Sequence, residues 1–450
     1  MVNYSNFGDK KVLPVWYEEK ANKLKPVYRN LCLLSVVFAF SIGLFVGILI
    51  PLIYFGEQNR QDNNRTATRK TEIPAAEAIK SVFVNNSYGH HHPRNSTKEA
   101  KDSNINEYPT VSFIDKYLVE NSLNSLLDDG VYWGKKVEDL LPVGYDQRTH
   151  TSWSNFVDNN AAVKLEQGCG RMQNRLVTFR DGSKGCARYR QNIDQIQGEL
   201  FSFYLAQILK LENLAPSVVS VVNLKSPLWE NIAHDIATAQ WNSNRPIVLT
   251  KFISNLDSAN IPQIFKPNER HLNRNDVVNM TEMSLDNGEL LNNLVELAQW
   301  SDLIIFDYLT ANLDRIVNNL FNYQWNVNIM DAPAHNLAKN LDTNLLVFLD
   351  NESGLLHGYR LLQKYERYHA ILLENLCVFR KQTADVIARL KSDGNVGDLL
   401  RGMFEERNSA RIKDVLPSLP DKSVKILNER IDRVHEQIMK CSSLFSDKVT

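Results

Sequence analysis

Residues 161–190 read AAVKLEQGCGRMQNRLVTFRDGSKGCARYR, and the architecture turns on how that stretch is parsed. AAVKLEQ and RLVTF alternate apolar with polar side chains. Gly168-Cys169-Gly170 and Asp181-Gly182-Ser183 supply turn residues between them, and GCARYR closes the series, a pattern that predicts a β-meander. The next segment, QIQGELFSFYLAQILK over 195–210, spaces Ile196, Leu200, Phe203, Tyr204 and Ile208 along one helical face and predicts an amphipathic helix. Residues 218–223 and 247–253 read as further strands. After about residue 290 the pattern becomes helical, strongest over 289–310, 361–391 and 422–441. Strands first and helices after predict an α+β protein with two lobes.

The 450 residues carry 51 Lys and Arg against 52 Asp and Glu, a net charge of −1, so bulk charge points to neither nucleic acid nor an acidic polymer. Nineteen Gly and 15 Pro are too few for a collagen-like or low-complexity chain. Residues 31–55, LCLLSVVFAFSIGLFVGILIPLIYF, contain no charged side chain. At about 1.5 Å per residue such a helix exceeds a hydrocarbon core of about 30 Å and is expected to span a membrane. The segment is too long, and too far from the N-terminus, for a cleaved signal peptide. Lys10, Lys11, Lys20, Lys23, Lys25 and Arg29 precede it, against Arg60, Arg65, Arg69 and Lys70 after it. This favours a cytosolic N-terminus and a lumenal body, a type II arrangement.

Two features agree with that orientation. Asn64, Asn85, Asn95 and Asn279 begin glycosylation acceptor sequences, and beyond Cys32 the chain has four cysteines, Cys169, Cys186, Cys377 and Cys441, an even set suited to two disulfides. Residues 56–108 are polar and poor in core-forming side chains and read as a flexible, disordered stem. The His90–His92 run within it reads as solvated. The expected organisation is a tail over 1–30, a span over 31–55, a stem over 56–108, a sheet-bearing lobe over 109–253 and a helical lobe over 254–450.

Three places carry groups suited to chemistry. Gly168-Cys169-Gly170 between strands would let backbone N–H groups approach phosphate, although on its own the feature reads as an ordinary hairpin turn. The glycines lead into a strand, which excludes a Rossmann fingerprint. Next, the apolar helix ending in Asp307 runs into Asn312, Asp314, Arg315, Asn318 and Asn319. On its own this reads as helix capping with a surface ion pair. Third, LLVFLDNESG over 345–354 delivers Asp350 and Glu352 into a turn at a strand end, where carboxylates ligate Mg²⁺ or Mn²⁺. Asn351-Glu-Ser is also an acceptor sequence, expected to be buried and unmodified. Taken in order, a Gly-containing hairpin, a basic residue on the next strand, an acid on the following helix, Asp-Arg with Asn five residues on, and a strand-end Asp reproduce the parts of a protein kinase.

GCGRMQNRLVTFRDGSKGCARYR, IQGE, FDYLTANLDR and VFLDNESGL together resemble the four-jointed family, from about residue 110 to the C-terminus. The resemblance implies an atypical two-lobed kinase fold behind a single transmembrane anchor. It implies a Golgi kinase that moves phosphate from ATP, with Mn²⁺ or Mg²⁺, to Ser or Thr of extracellular cadherin repeats of the Fat and Dachsous type, tuning planar polarity and growth. No nucleic acid partner is implied, and a secreted form is left open. Gly168 and Gly170 would lie against ATP, Arg188 would pair with its phosphates, and Glu199 would partner Arg188 or the metal site. Asp314 would be the catalytic carboxylate, Asp350 a metal ligand, and Asn319, with Asn318 as the alternative, the second metal contact. Cys169 would pair with Cys186 and Cys377 with Cys441.

The sequence departs from ordinary kinases in having no His before Asp314-Arg315, no Asp-Phe-Gly, and Arg188 in place of Lys. Arg keeps its charge and grips phosphate through a fork, but it is not equivalent to Lys. Glu352 stands where relatives have Gly, as an extra oxygen ligand or a structural carboxylate. The stretch from Asp314 to Asp350 is long, and its polar residues over 326–344 predict an inserted surface loop. Two other readings remain. A type II Golgi glycosyltransferase would share the anchor and stem, but Asp350-x-Glu352 is the nearest approach to Asp-x-Asp. A kinase-like module that binds cadherins with little turnover is the non-enzymatic alternative.

Overall fold

A computed structural model describes residues 125–446 apart from 171–172, 268–271 and 285. The expected tail, membrane span and stem, with Asn64, Asn85 and Asn95, lie outside the described residues. No described helix is long and apolar enough to cross a membrane.

A short hairpin of β1 (Leu127–Asp128) and β2 (Tyr132–Trp133) leads through α1 (Lys135–Glu138) to α2 (Gln147–Asn159), which is N-capped by Asp146. The alternating stretch then forms β3 (Ala162–Gln167), β4 (Arg175–Phe179) and β5 (Lys184–Tyr189), antiparallel as the pattern predicts. After α3 (Ile193–Ile208), β6 (Ser217–Val221), α4 (Ala233–Thr238) and β7 (Pro246–Lys251), β7 inserts between β5 and β6. The result is a five-stranded antiparallel sheet in the order β3-β4-β5-β7-β6. Because side chains alternate along a strand, Gly185, Ala187 and Tyr189 of β5 face a core with Trp153, Phe179 and Trp241, and Cys186 and Arg188 face the other way.

That second face receives α3. The sequence predicts an amphipathic helix there, but every residue from Ile196 to Ala206 is buried. The sheet covers one side, and α11, introduced below, covers another, with the Phe201 ring 5.5 Å from Phe404. A helix closed in on several sides has no solvent face for its polar residues. Gln197 therefore donates to the Pro417 carbonyl at 2.7 Å, and Glu199 turns toward Arg188.

The rest is mainly helical: β8 (Leu256–Asn260), α5 (Arg274–Met283), α6 (Asn287–Thr310), α7 (Ile316–Asn322), β9 (Pro333–Asn340), β10 (Leu346–Phe348), α8 (His357–Arg360), α9 (Leu362–Glu374), α10 (Lys381–Asp393), α11 (Val396–Arg407), α12 (Ala410–Val415) and α13 (Asp421–Phe445). Two expectations are corrected. The polar stretch over 326–344 is not a surface loop. It contains β9, the central strand of a second sheet ordered β10-β9-β8, whose buried Ala334, Leu337 and Ala338 are too small and too few to announce a strand. The helical pattern over 361–391 divides into α9 and α10, and Cys377 lies between them. Both disulfides form as the resemblance implied: Cys169–Cys186 clips the hairpin loop to β5, and Cys377–Cys441 ties that connection to α13.

Candidate active site

Arg188 projects from β5 into a cluster of acids drawn from two other parts of the chain. Its Nη1 donates to Asp350 Oδ1 at 2.6 Å and to Glu352 Oε2 at 3.1 Å, and its Nε lies 3.6 Å from Glu199 Oε2. Arg190, two residues on, donates through Nε to the same Glu352 oxygen at 2.6 Å and through Nη1 to Asn174 Oδ1 at 2.7 Å. Gln195 Nε2 reaches Glu352 Oε1 at 3.1 Å. Burial opposes the Arg188 charge, but Glu199, Asp350 and Glu352 together outweigh it and hold the guanidinium above its ordinary pKa. Burial likewise pushes the Glu199 carboxyl up, against the pull of Arg188 and with the help of Asp350 and Glu352. With every group ionised, the three carboxylates exceed the two guanidiniums by one negative charge.

The turn that presents Asp350 is fixed from two directions. Arg315, with no exposed surface, donates to the Leu349 carbonyl at 2.8 Å, to Asn351 Oδ1 at 2.7 Å and to the Asn336 carbonyl at 3.1 Å, and it also pairs with Asp307. Burial pushes the Asp307 carboxyl up to about 6, against the pull of Arg315. Read from sequence, this stretch suggests capping with a surface ion pair. Here Arg315 lies in the interior, pairs with Asp307, and links the stretch carrying Asp314 to both neighbours of Asp350. From the other side, α3 abuts the turn through Gly198, where a Cβ would lie 2.5 Å from the Glu352 carbonyl oxygen. Only a glycine allows that approach.

Arg188, Glu199 and Asp350 line a cavity of about 380 Å³ together with Gly170, the Cys169–Cys186 bridge, and apolar groups including Phe203, Leu214, Ile253 and Phe348. The lining combines charged with apolar groups, as a ligand with an anionic tail and a flat apolar ring would require. Gly168, Glu352, Asp314, Asn318 and Asn319 are not part of this lining. Asp314 is half-buried, its backbone N–H is held by Asn312 Oδ1 at 3.0 Å, and its carboxylate has no hydrogen-bond or ion-pair partner among the described residues.

The family model described as "Four-jointed box protein middle domain" matches residues 148–444. The chain belongs to the four-jointed family. It is 53% identical to "Extracellular serine/threonine protein kinase four-jointed" of Drosophila melanogaster, over 70% of this chain and 61% of that protein, so it spans under two thirds of that relative's length. It is 38% identical to "Four-jointed box protein 1" of Xiphophorus maculatus, over 71% of this chain and 73% of that one. The solved structure of the Golgi casein kinase with Mn/ADP bound aligns over 77% of this chain and 93% of its own, at 13% identity and a TM-score of 0.44.

Of the residues that the four-jointed resemblance marks out, the structure brings together Arg188, Glu199, Asp350 and Glu352, with Gly170 in the same wall. It attaches Asp314 to them through Arg315. Asn319 stands apart: 1% exposed, it donates from Nδ2 to the Ile329 carbonyl at 3.2 Å. Sequence reading gave no role to Arg190, although its position two residues beyond Arg188 on an extended strand was a usable signal. Asn174 and Gly198 had none, since they meet Arg190 and Glu352 from elsewhere in the chain, and Asp307, eight residues before Arg315, was given no role of its own.

A divalent ion fits part of this site. Among the described residues no three His, Cys, Asp or Glu side chains are grouped to hold a metal unaided. An ion that accompanies a nucleotide, however, takes one or two carboxylates and completes its shell with phosphate and water. Asp350 and Glu199 suit that requirement. Glu199 Oε2 is buried without a hydrogen-bond partner, and the local charge excess is negative. Glu352 is taken up by Arg188, Arg190 and Gln195.

Proposed function

We propose that this chain is a secretory-pathway protein kinase that transfers the γ-phosphoryl group of ATP to Ser or Thr in cadherin repeats of the Fat and Dachsous type, altering their mutual binding. In this reading residues 31–55 anchor it in the Golgi membrane with residues 56–450 lumenal, and Asn279, exposed on α5, is one of its glycosylation sites. The observation that carries the reading is the 2.6 Å contact between Arg188 of the sheet and Asp350 of the strand-end turn, inside a cavity that Glu199 also lines. The name of the Drosophila relative, an extracellular serine/threonine protein kinase, agrees with it.

Arg188 would hold the phosphates through its fork, Gly170 would let the hairpin backbone approach them, and the apolar lining of the cavity would take the adenine. Asp350 and Glu199 would hold Mn²⁺ or Mg²⁺, which when bound supplies positive charge against the phosphate oxygens. Asp314 would accept the proton of the acceptor hydroxyl as its oxygen bonds to the γ-phosphorus and the bond to the β-phosphate oxygen breaks. An unpaired, half-buried carboxylate is suited to that task.

The test is phosphate incorporation into a purified cadherin repeat by the full chain with ATP and Mn²⁺ or Mg²⁺. Asp350→Asn is expected to lower turnover by about 100-fold or more. Asp314→Asn is expected to lose turnover to a similar degree while keeping nucleotide affinity. Equal incorporation by wild type and Asp350→Asn would end the metal assignment, and an unchanged rate in Asp314→Asn would end its assignment as base.

A further inference from the structure

Beyond the cavity, one cluster at the edge of the core takes no part in the proposed chemistry. Phe321 on the last turn of α7 stands 5.0 Å from the ring of Trp325, 5.0 Å from Tyr365 and 5.8 Å from the buried Tyr368 on α9. Trp325 is 68% exposed, an unusual state for the largest apolar side chain. Two cations border the rings: Lys364 Nζ lies 4.2 Å above Phe321 and 4.8 Å above Tyr365, and the Arg367 guanidinium lies 4.6 Å above Tyr368. Neither has an acidic partner among the described residues, because Glu366 between them is engaged by Arg430 and Arg433.

Resting on the kinase reading above, we propose that this ring-and-cation cluster is the subsite that docks an acidic stretch of the acceptor polypeptide. Charge names the occupant: two exposed cations without counter-ions among the described residues, beside the exposed Trp325 and the half-buried Phe321 and Tyr365, complement carboxylates flanked by apolar side chains. Position names the register. Asp314 immediately precedes Arg315 and α7, and Phe321 lies seven residues after Asp314. Asp314 and Arg315 precede the helix, and the five steps from Ile316 to Phe321 rise about 8 Å at about 1.5 Å each, so the backbone of Phe321 lies on the order of 10 Å from that of the proposed base. An extended polypeptide covers that distance in about three residues at about 3.3 Å each. The acidic side chain therefore falls three or four residues from the phosphorylated hydroxyl.

The test uses the full chain in detergent with ATP and a divalent ion on peptides with one central Ser, walking a single Glu, and in parallel a single Lys, through every flanking position. Glu at the third or fourth position on one side of the Ser is expected to lower KM by about tenfold. Lys364→Glu combined with Arg367→Glu is expected to reverse the preference, so that Lys there is favoured. Trp325→Ala is expected to raise KM several-fold with kcat kept. A Glu preference that is absent, or that survives charge reversal, overturns the inference while leaving the kinase reading in place. If the wild-type chain phosphorylates no peptide and no cadherin repeat, the kinase reading fails. Fluorescence anisotropy of labelled Glu and Lys peptides then decides the docking surface: a Glu preference abolished by charge reversal supports it, and equal binding overturns it. Loss of binding to phosphatidylserine vesicles in the charge-reversed chain, with peptide preference unchanged, assigns the cluster to a membrane and overturns it as well.

Discussion

Arg315 holds the two halves of the proposed site in register with a single side chain, so its replacement is the most informative at residue scale. A fully buried guanidinium is tolerable only because Asp307, two carbonyls and Asn351 receive its donors. Arg315→Leu leaves the buried Asp307 without its cation and is expected to cost about 3–5 kcal/mol of stability, read as a fall in Tm or in the urea midpoint. Arg315→Leu with Asp307→Leu removes both charges and is expected to recover part of that loss, and a double variant no more stable than the single would show that the two are not coupled. The Asp-Arg pair was legible in sequence as a candidate for chemistry. Its burial was not, because Asn and Asp residues after a helix look the same whether they cap at the surface or fold inward. Apart from Asp307, eight residues back, the groups that bind Arg315 lie 21 to 36 residues away, beyond the reach of periodicity.

For the elements, the meeting of α3 with the 352–354 turn decides whether Glu199 and Asp350 face one cavity. Glycine inside a helix ordinarily costs about 0.5–1 kcal/mol relative to alanine, so replacing it should help. At Gly198 the sign reverses, since the new Cβ would stand 2.5 Å from the Glu352 carbonyl oxygen and 2.9 Å from that of Gly354. Gly402, within α11, has no atom within 4 Å of the same position and provides the control. Gly402→Ala is expected to raise stability by about 0.5–1 kcal/mol. Gly198→Ala is expected to lower stability and nucleotide affinity together, measured by thermal unfolding with and without ATP. A stabilised Gly198→Ala would mean that α3 and the turn can part without consequence. The contrast also shows what the pattern carries. Strands β3 to β5 were readable because their alternating faces meet different surroundings, whereas β9 was hidden by small side chains, and α3 was misread because a helix covered on several sides shows no polar stripe.

Across the whole molecule, two buried histidines and the buried acids set how folding responds to pH, and they act in opposite directions. His150 is 8% exposed, and burial, with Arg407 adding to it, lowers its pKa to about 4. His369, 1% exposed, is held well below 6.5 by burial and by Arg430. Both are neutral in the fold and take up protons near pH 6.5 when the chain unfolds. Between pH 6.5 and about 4 the unfolded chain therefore binds more protons at these sites, and their contribution to stability falls as pH falls. Burial raises Asp307 to about 6 and raises Asp302 as well, so in the acidic part of the same range the folded chain binds more protons at these groups and gains stability on acidification. Where the two ranges overlap, the effects offset each other. In urea titrations at stepped pH, His150→Gln removes one proton's share of the histidine term. Its stability relative to wild type is expected to rise as pH falls from 6.5 toward 4, by on the order of 1 kcal/mol per pH unit at most. Curves for the two proteins that stay parallel across that window would show that His150 is protonated in the folded chain, and the packing of its ring against Phe203 at 4.9 Å would then have to accommodate a charge.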